Sequence, residues 1–164
     1  MAVTVGKNAA VRVTAKVDYA VRAAILLADA AASDKGPLKG EQIATAQAIP
    51  VKYLENILNE LRQAGIVRSQ RGAEGGYWLG KRAADVSLAD IIRAVEGPLA
   101  NVRGERPEAL EYPEGTGALQ DVWIATRAAL RSVLETVSIQ DVAAGRLPEK
   151  VKGLASDPAS WEPR

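Results

Sequence analysis

The chain has 164 residues, 48% of them hydrophobic, and 21 basic side chains against 20 acidic ones, a formal net charge of +1. It contains no cysteine and no histidine, which excludes thiol redox chemistry, zinc sites of the usual ligands, and catalysis by a serine triad, a histidine acid–base or a cysteine nucleophile. The length suits one domain core with an appendage, no apolar run is long enough to span a membrane, and no secretory signal is evident, so a cytoplasmic protein is expected.

Residues 1–12 precede any pattern and are read as an N-terminal extension. Thr14 is placed to cap a first helix running to about Ala32, with Val17, Val21, Ala24, Ile25 and Ala28 as a broad apolar face and Gly36-Pro37 closing the connection after it. Lys16 and Tyr19 lie near the start of this helix, where backbone amides favour phosphate. Glu41–Gln47 is a short amphipathic segment with Ile43 and Ala44 inward, and only Ala48 and Ile49 separate it from Pro50, which suits the first turn of another helix. There Val51, Leu54, Ile57, Leu58 and Leu61 share one face, and Gly65 suits the residue after the helix.

Two helices joined so tightly predict a helix-turn-helix, whose second helix enters the DNA major groove by its N-terminal end. Lys52, Tyr53, Glu55, Asn56 and Asn59 share the outward face of its first turns. Lys52 and Tyr53 suit phosphate, Asn56 suits adenine, and Glu55 can accept from cytosine. Alone, these residues describe any solvent-exposed helix face; the next segment gives them a context.

Ile66–Gln70 and Tyr77-Trp78-Leu79 flank Arg71-Gly72-Ala73-Glu74-Gly75-Gly76, the pattern of two short strands around a glycine turn. Arg68 and Arg71 flank the first strand. An arginine carried on a wing tip suits the negative potential of a narrow minor groove, and the glycines would let the backbone approach phosphate. A nucleotide-binding loop is disfavoured, because no Lys-Ser/Thr pair follows the glycines and the segment opens into a strand.

Ser87 starts a further helix, with Asp90 in a capping-box relation and Leu88, Ile91, Ile92 and Val95 inward, ending at Gly97-Pro98. Residues 98–117 hold Gly104, Pro107, Pro113, Gly115 and Gly117 among charges, the composition of a loop or lid. Glu105, Glu108, Glu111 and Glu114 within it read as a solvated loop and not as a cage for a hard cation. Leu119, Trp123, Thr126, Leu130, Val133 and Val137 then repeat at steps of four and three, a seam suited to pairing with another helix, with packing on its own domain as the competing reading. Residues 118–145 are therefore assigned to a dimerisation helix. Residues 146–164, with Pro148, Pro158 and Pro163, are expected to be a flexible tail in which Trp161 could dock.

Charge is uneven along the chain: residues 1–82 hold 12 Lys/Arg against 7 Asp/Glu, and residues 83–164 hold 9 against 13. The basic half contains the helix-turn-helix, as attraction to phosphate requires. The fold class expected is mainly α with a small β-wing: a winged helix-turn-helix over residues 13–97 followed by a long helix.

Several stretches together carry a family resemblance. Val13-Thr14-Ala15-Lys16-Val17-Asp18-Tyr19-Ala20-Val21-Arg22, Tyr53-Leu54-Glu55, Ile57-Leu58, Leu61-Arg62, Ala64-Gly65-Ile66-Val67, Ser69, Arg71-Gly72, Gly75-Gly76-Tyr77, Leu79 and Ala94-Val95-Glu96-Gly97 resemble, in order, the IscR/NsrR/CymR type of bacterial transcriptional repressor, the Rrf family. The resemblance spans about Val13 to Gly145. It implies a homodimer that binds a palindromic operator in double-stranded DNA. Thr14, Lys16, Tyr19, Lys52, Tyr53, Glu55, Asn56, Asn59, Arg68, Ser69, Arg71, Gly72, Gly75 and Gly76 would form the DNA-binding surface. Arg71 matches the wing arginine that enters the minor groove, and Glu55 the acid that tunes sequence choice. Asn56 stands where such proteins often have glutamine, a departure that bears on the preferred bases. Many relatives hold an iron–sulfur cluster on cysteines in the loop corresponding to residues 98–117, helped by a histidine or an aspartate near the first helix. Asp18 is near that aspartate's position, but one carboxylate without thiolates or imidazole cannot hold a cluster. No cofactor and no metal site is expected.

Three functions follow. The first is a DNA-binding repressor responding to a small molecule, in a pocket between the linker, Trp78 and Trp123, or to a regulatory protein, as cluster-free CymR-type relatives do. The second is a constitutive DNA binder. The third is a dimeric adaptor that keeps the scaffold and binds protein; Lys52, Asn56, Arg68 and Arg71 speak against it, since an adaptor has no need of a basic wing.

Overall fold

The computed structural model describes residues 12–163, so the assignment of residues 1–12 to an extension lies almost wholly outside the described residues. Helix α1 spans Ala15–Ala32, and the Thr14 hydroxyl accepts from the Val17 amide at 3.2 Å, as an N-cap should. Its buried face is rich in alanine (Ala20, Ala23, Ala24, Ala28 and Ala30, with Val17 and Leu27). Small side chains let neighbouring backbones come close, and α1 accordingly serves as the central rod of the domain. Val21 and Ile25, expected on that face, sit half-buried at its edge.

Helices α2 (Gly40–Gln47) and α3 (Val51–Gln63) pack on α1 and on each other. The turn between them is made by Ala48 in the left-handed region, φ 51°, followed by buried Ile49. Pro50 occupies the position before α3 and not its first turn, a one-residue correction. Leu54, Ile57, Leu58 and Leu61 are all at most 1% exposed, each worth about 1.5–3 kcal/mol of transfer free energy, which fixes the rotation of α3 about its axis. Gly65 follows the Ala64 C-cap with φ +74°. Strands β1 (Val67–Gln70) and β2 (Gly76–Leu79) pair antiparallel with Arg68 opposite Trp78 and Ser69 opposite Tyr77.

Helix α4 (Leu88–Glu96) begins with the expected box: the Ser87 hydroxyl accepts from the Asp90 amide and the Asp90 carboxylate accepts from the Ser87 amide. Residues 98–117 wind through a 3-10 turn at Pro107–Ala109 and bury Leu99, Pro107 and Leu110. Helix α5 spans Leu119–Leu134, α6 Ile139–Ala143 and α7 Glu149–Ser156.

Two expectations about the C-terminal part are corrected. The four-three spacing continues through Val137, but α5 ends at Leu134 and Val137 lies beyond it, 3% exposed in the core of its own domain. The cause is a second capping box, in which Ser138 and Asp141 repeat the Ser87–Asp90 pattern. Val86-Ser87-Leu88-Ala89-Asp90 and Val137-Ser138-Ile139-Gln140-Asp141 face one another, with reciprocal bonds from the Leu88 amide to the Val137 carbonyl (3.0 Å) and from the Ile139 amide to the Val86 carbonyl (2.9 Å). Within the segment expected as a flexible tail, the described residues 146–163 instead fold: Pro148 precedes α7, and a 3-10 turn at Pro158–Trp161 folds back so that the Trp161 indole N–H donates to the Ala155 carbonyl. Trp161 stays 77% exposed. Among the described residues no helix is long and apolar enough to cross a membrane.

Candidate nucleic-acid interface

The inward leucine and isoleucine row of α3 forces Lys52, Glu55, Asn56 and Asn59 outward, and all four are exposed. Asn59 is engaged, its side-chain oxygen accepting from Arg62 at 2.8 Å. Tyr53 stands edge-on to the Tyr19 ring, with centroids 5.7 Å apart and planes at 87°. The Arg22 guanidinium lies 5.0 Å over the other partner, Tyr19, and donates to the Gln47 carbonyl at 2.8 Å. Tyr19 and Arg22 thus brace the first turn of α3 and the end of α2 against α1. Asp18 completes this brace, 3.5 Å from Arg22.

The residues expected near the start of α1 are committed elsewhere. The Lys16 ammonium sits 2.9 Å from the Glu60 carboxylate on α3, and the Thr14 hydroxyl, besides capping, donates to Glu96 at 2.7 Å. Both side chains therefore have a protein partner before any phosphate is met. Their partners are 44 and 82 residues away in sequence, a separation that no local pattern reveals.

In the wing, Arg68, Ser69, Arg71 and Gly72 are exposed. Among the described residues neither these arginines nor Lys52 is in an ion pair. The Gly75 amide closes the turn onto the Gly72 carbonyl at 3.1 Å. Gly75 and Gly76 are buried, which corrects their place on a phosphate-facing surface. Their lack of a side chain is needed inside the hairpin: a Cβ on Gly75 would stand 2.1 Å from the Gln70 carbonyl oxygen, and one on Gly76 2.7 Å from that of Leu38.

Lys39 was missed. Its backbone precedes α2, and its ammonium donates to the Gly72 carbonyl at 2.6 Å. Lysine is not among the usual helix-capping residues, so nothing in the sequence flagged it.

The cavity at Trp78 does not extend to Trp123, the other residue of the expected pocket. Trp78 lines an open cavity of about 320 Å³ with Leu27, Ala30, Pro37 and Tyr77, and Trp123 does not line it. Trp123 lies on α5, its indole N–H buried without a partner among the described residues. None of the sixteen residues of α5 is fully buried, and Leu119 and Val122 are 38% and 52% exposed. The Gln120 side-chain amide ties the helix to the preceding loop through the carbonyls of Pro107, Glu108 and Leu110. Arg127 pairs with Glu108. A backbone N–H bond, aided by Arg127, holds the Glu108 carboxyl below its ordinary range, and Arg93 followed by Arg131 does the same to Glu135.

A tight helix pair with an exposed polar row, followed by a basic two-stranded hairpin, defines a winged helix-turn-helix DNA-binding protein. Comparison with known proteins places it further: residues 13–145 match the family described as "Rrf2: Iron-dependent Transcriptional regulator". The chain belongs to the Rrf2 family, whose members are transcriptional regulators and not enzymes. It is 48% identical over 146 residues to a protein of Mycobacterium tuberculosis (strain H37Rv) named as a candidate HTH-type transcriptional regulator, covering 89% of each chain. The solved structure of CymR, the global cysteine regulator of Bacillus subtilis, is similar with TM-score 0.68 and 32% identity, over 82% of this chain and 97% of that one. The IscR of T. potens is similar with TM-score 0.66 and 30% identity, over 82% and 87%.

The family description implies iron, and the donor set here does not fit it. The sequence offers no thiolate and no imidazole. Among the described residues no three carboxylates gather as a metal site, while Asp18 and Glu108 are already paired with Arg22 and Arg127.

Proposed function

We propose that this transcriptional regulator is a cytoplasmic homodimeric repressor that binds a palindromic operator without an iron–sulfur cluster. The observation that carries the reading is the set of exposed groups on α3 and the wing that have no side-chain partner among the described residues: Lys52, Glu55 and Asn56 on the first turns of the helix, Arg68 and Arg71 on the hairpin. The buried row Leu54, Ile57, Leu58 and Leu61 fixes the face of α3 from which Lys52, Glu55 and Asn56 project, so that helix needs little reorientation on binding. Helix α5 supports self-association, because a sixteen-residue helix with no buried position and exposed Leu119 and Val122 leaves apolar surface in search of a partner. A two-fold through α5 would set two recognition helices about one DNA turn apart. Control by a small molecule or by a regulatory protein fits a chain that cannot ligate a cluster.

The test is selection of genomic DNA fragments by the purified, metal-free protein at two salt concentrations, followed by a promoter-reporter assay on the recovered site. Enrichment of a palindrome with steep salt dependence, and reporter expression that rises when the gene is deleted, is the expected result. Sequence-blind binding, or none, overturns it.

A further inference from the structure

The segment before α2 is built into the wing. Leu38 and Tyr77 exchange both backbone bonds, Tyr77 N–H to the Leu38 carbonyl at 2.7 Å and Leu38 N–H to the Tyr77 carbonyl at 2.9 Å. The chain thereby lays a one-residue third strand against β2. The next backbone amide, that of Lys39, is held by the Gln42 side chain at 2.7 Å. With its root fixed on both sides, the Lys39 side chain reaches 33 residues along the sequence to the Gly72 carbonyl at the wing tip. That carbonyl already accepts from Gly75 within the turn, and it belongs to the residue directly after Arg71.

We propose that Lys39 is a positioning residue for DNA recognition: its ammonium pins the wing turn to the start of the helix-turn-helix and so sets where Arg71 is presented relative to α3. The idea rests on Arg71 being a DNA contact, as in the proposed function. Residues 71–74 of the turn are exposed, and beside the Gly75–Gly72 bond a charge-assisted bond to a main-chain carbonyl is the strongest restraint available to it. Removing it frees the turn to sample other orientations, and binding must then select the competent one.

A double-mutant cycle on the selected operator separates this role from a direct phosphate contact by Lys39. Lys39→Met should weaken operator binding roughly tenfold in the wild-type background, and by less than about twofold in an Arg71→Ala background, because coupled residues lose their effect together. Lys39→Arg, which keeps a donor, should restore most of the affinity. Equal losses in both backgrounds, or no loss in either, would overturn the positioning role. Thermal melting of each variant identifies any general loss of fold, and the cycle remains decisive because both backgrounds carry the same Lys39 change. A wild-type chain that selects no sequence would instead remove the operator-binding reading, and the role of Lys39 with it.

Discussion

Gly76→Ala should separate the stability of the wing from that of the rest of the domain. Gly76 has φ +148°, a conformation that side-chain-bearing residues rarely adopt, and its new Cβ would meet the Leu38 carbonyl oxygen at 2.7 Å and the Leu38 carbonyl carbon at 2.9 Å. Both are backbone atoms, so no flexible side chain can yield. The backbone strain costs about 1–3 kcal/mol. Displacing Leu38 endangers the pair of bonds to Tyr77 at 2.7 and 2.9 Å, a further ~0.5–1.5 kcal/mol each. The expected loss is therefore roughly 2–6 kcal/mol, taken from these two contributions. Gly72→Ala is the internal control. Gly72 also has positive φ, +105°, but an added Cβ would meet nothing within 4 Å, so only the strain applies. Urea unfolding of both variants, with hydrogen exchange at the Tyr77 and Leu38 amides, measures the difference. If the two substitutions cost the same, the close approach of Leu38 to β2 is not what requires glycine at position 76.

Arg71→Ala should weaken operator binding by roughly 1–3 kcal/mol in an anisotropy titration, and unchanged affinity would remove Arg71 from the interface. Leu130→Lys, in the seam of α5, should give monomers by light scattering together with loss of cooperative binding to a two-half-site operator; a stable dimer would put the contact elsewhere. Glu108 and Glu135 have lowered pKa values in the folded chain, so their contribution to stability is complete at neutral pH and is lost as pH falls below the ordinary value of 4.5 through the lowered ones. Thermal melting across that acid range should show a smaller decline for Glu135→Gln than for the wild-type chain, and identical profiles would contradict the assignment.

Local chemistry made much of this molecule readable in advance. Thr14 and the Ser87–Asp90 box mark two helix starts because a cap is a contact over three residues. The apolar row of α3 predicts its outward face because side-chain type and the 3.6-residue period are both local facts. What escaped was set by tertiary contact. Lys16 meets Glu60 and Lys39 meets Gly72 only after the chain has folded back. The four-three spacing through Val137 was genuine as a pattern, yet a Ser-x-x-Asp box overrides periodicity, and the repeat of Val86–Asp90 at Val137–Asp141 was present in the sequence to signal it. Prolines at 148 and 158 suggest a loose tail by composition, but each sits at the start of a helical turn, where a missing N–H costs nothing.

The facing boxes at Ser87 and Ser138 have a topological consequence. Between them the chain leaves the domain through the 98–117 loop, runs out along α5, and comes home to the strand-like seam from which it departed. Ile139, fully buried against α1, then plugs the return end into the core. Such an excursion is closed by non-covalent contacts as well as by the backbone, so a single nick in the exposed loop near Gly115 would leave two fragments clasped together, a complementing pair and not a severed protein.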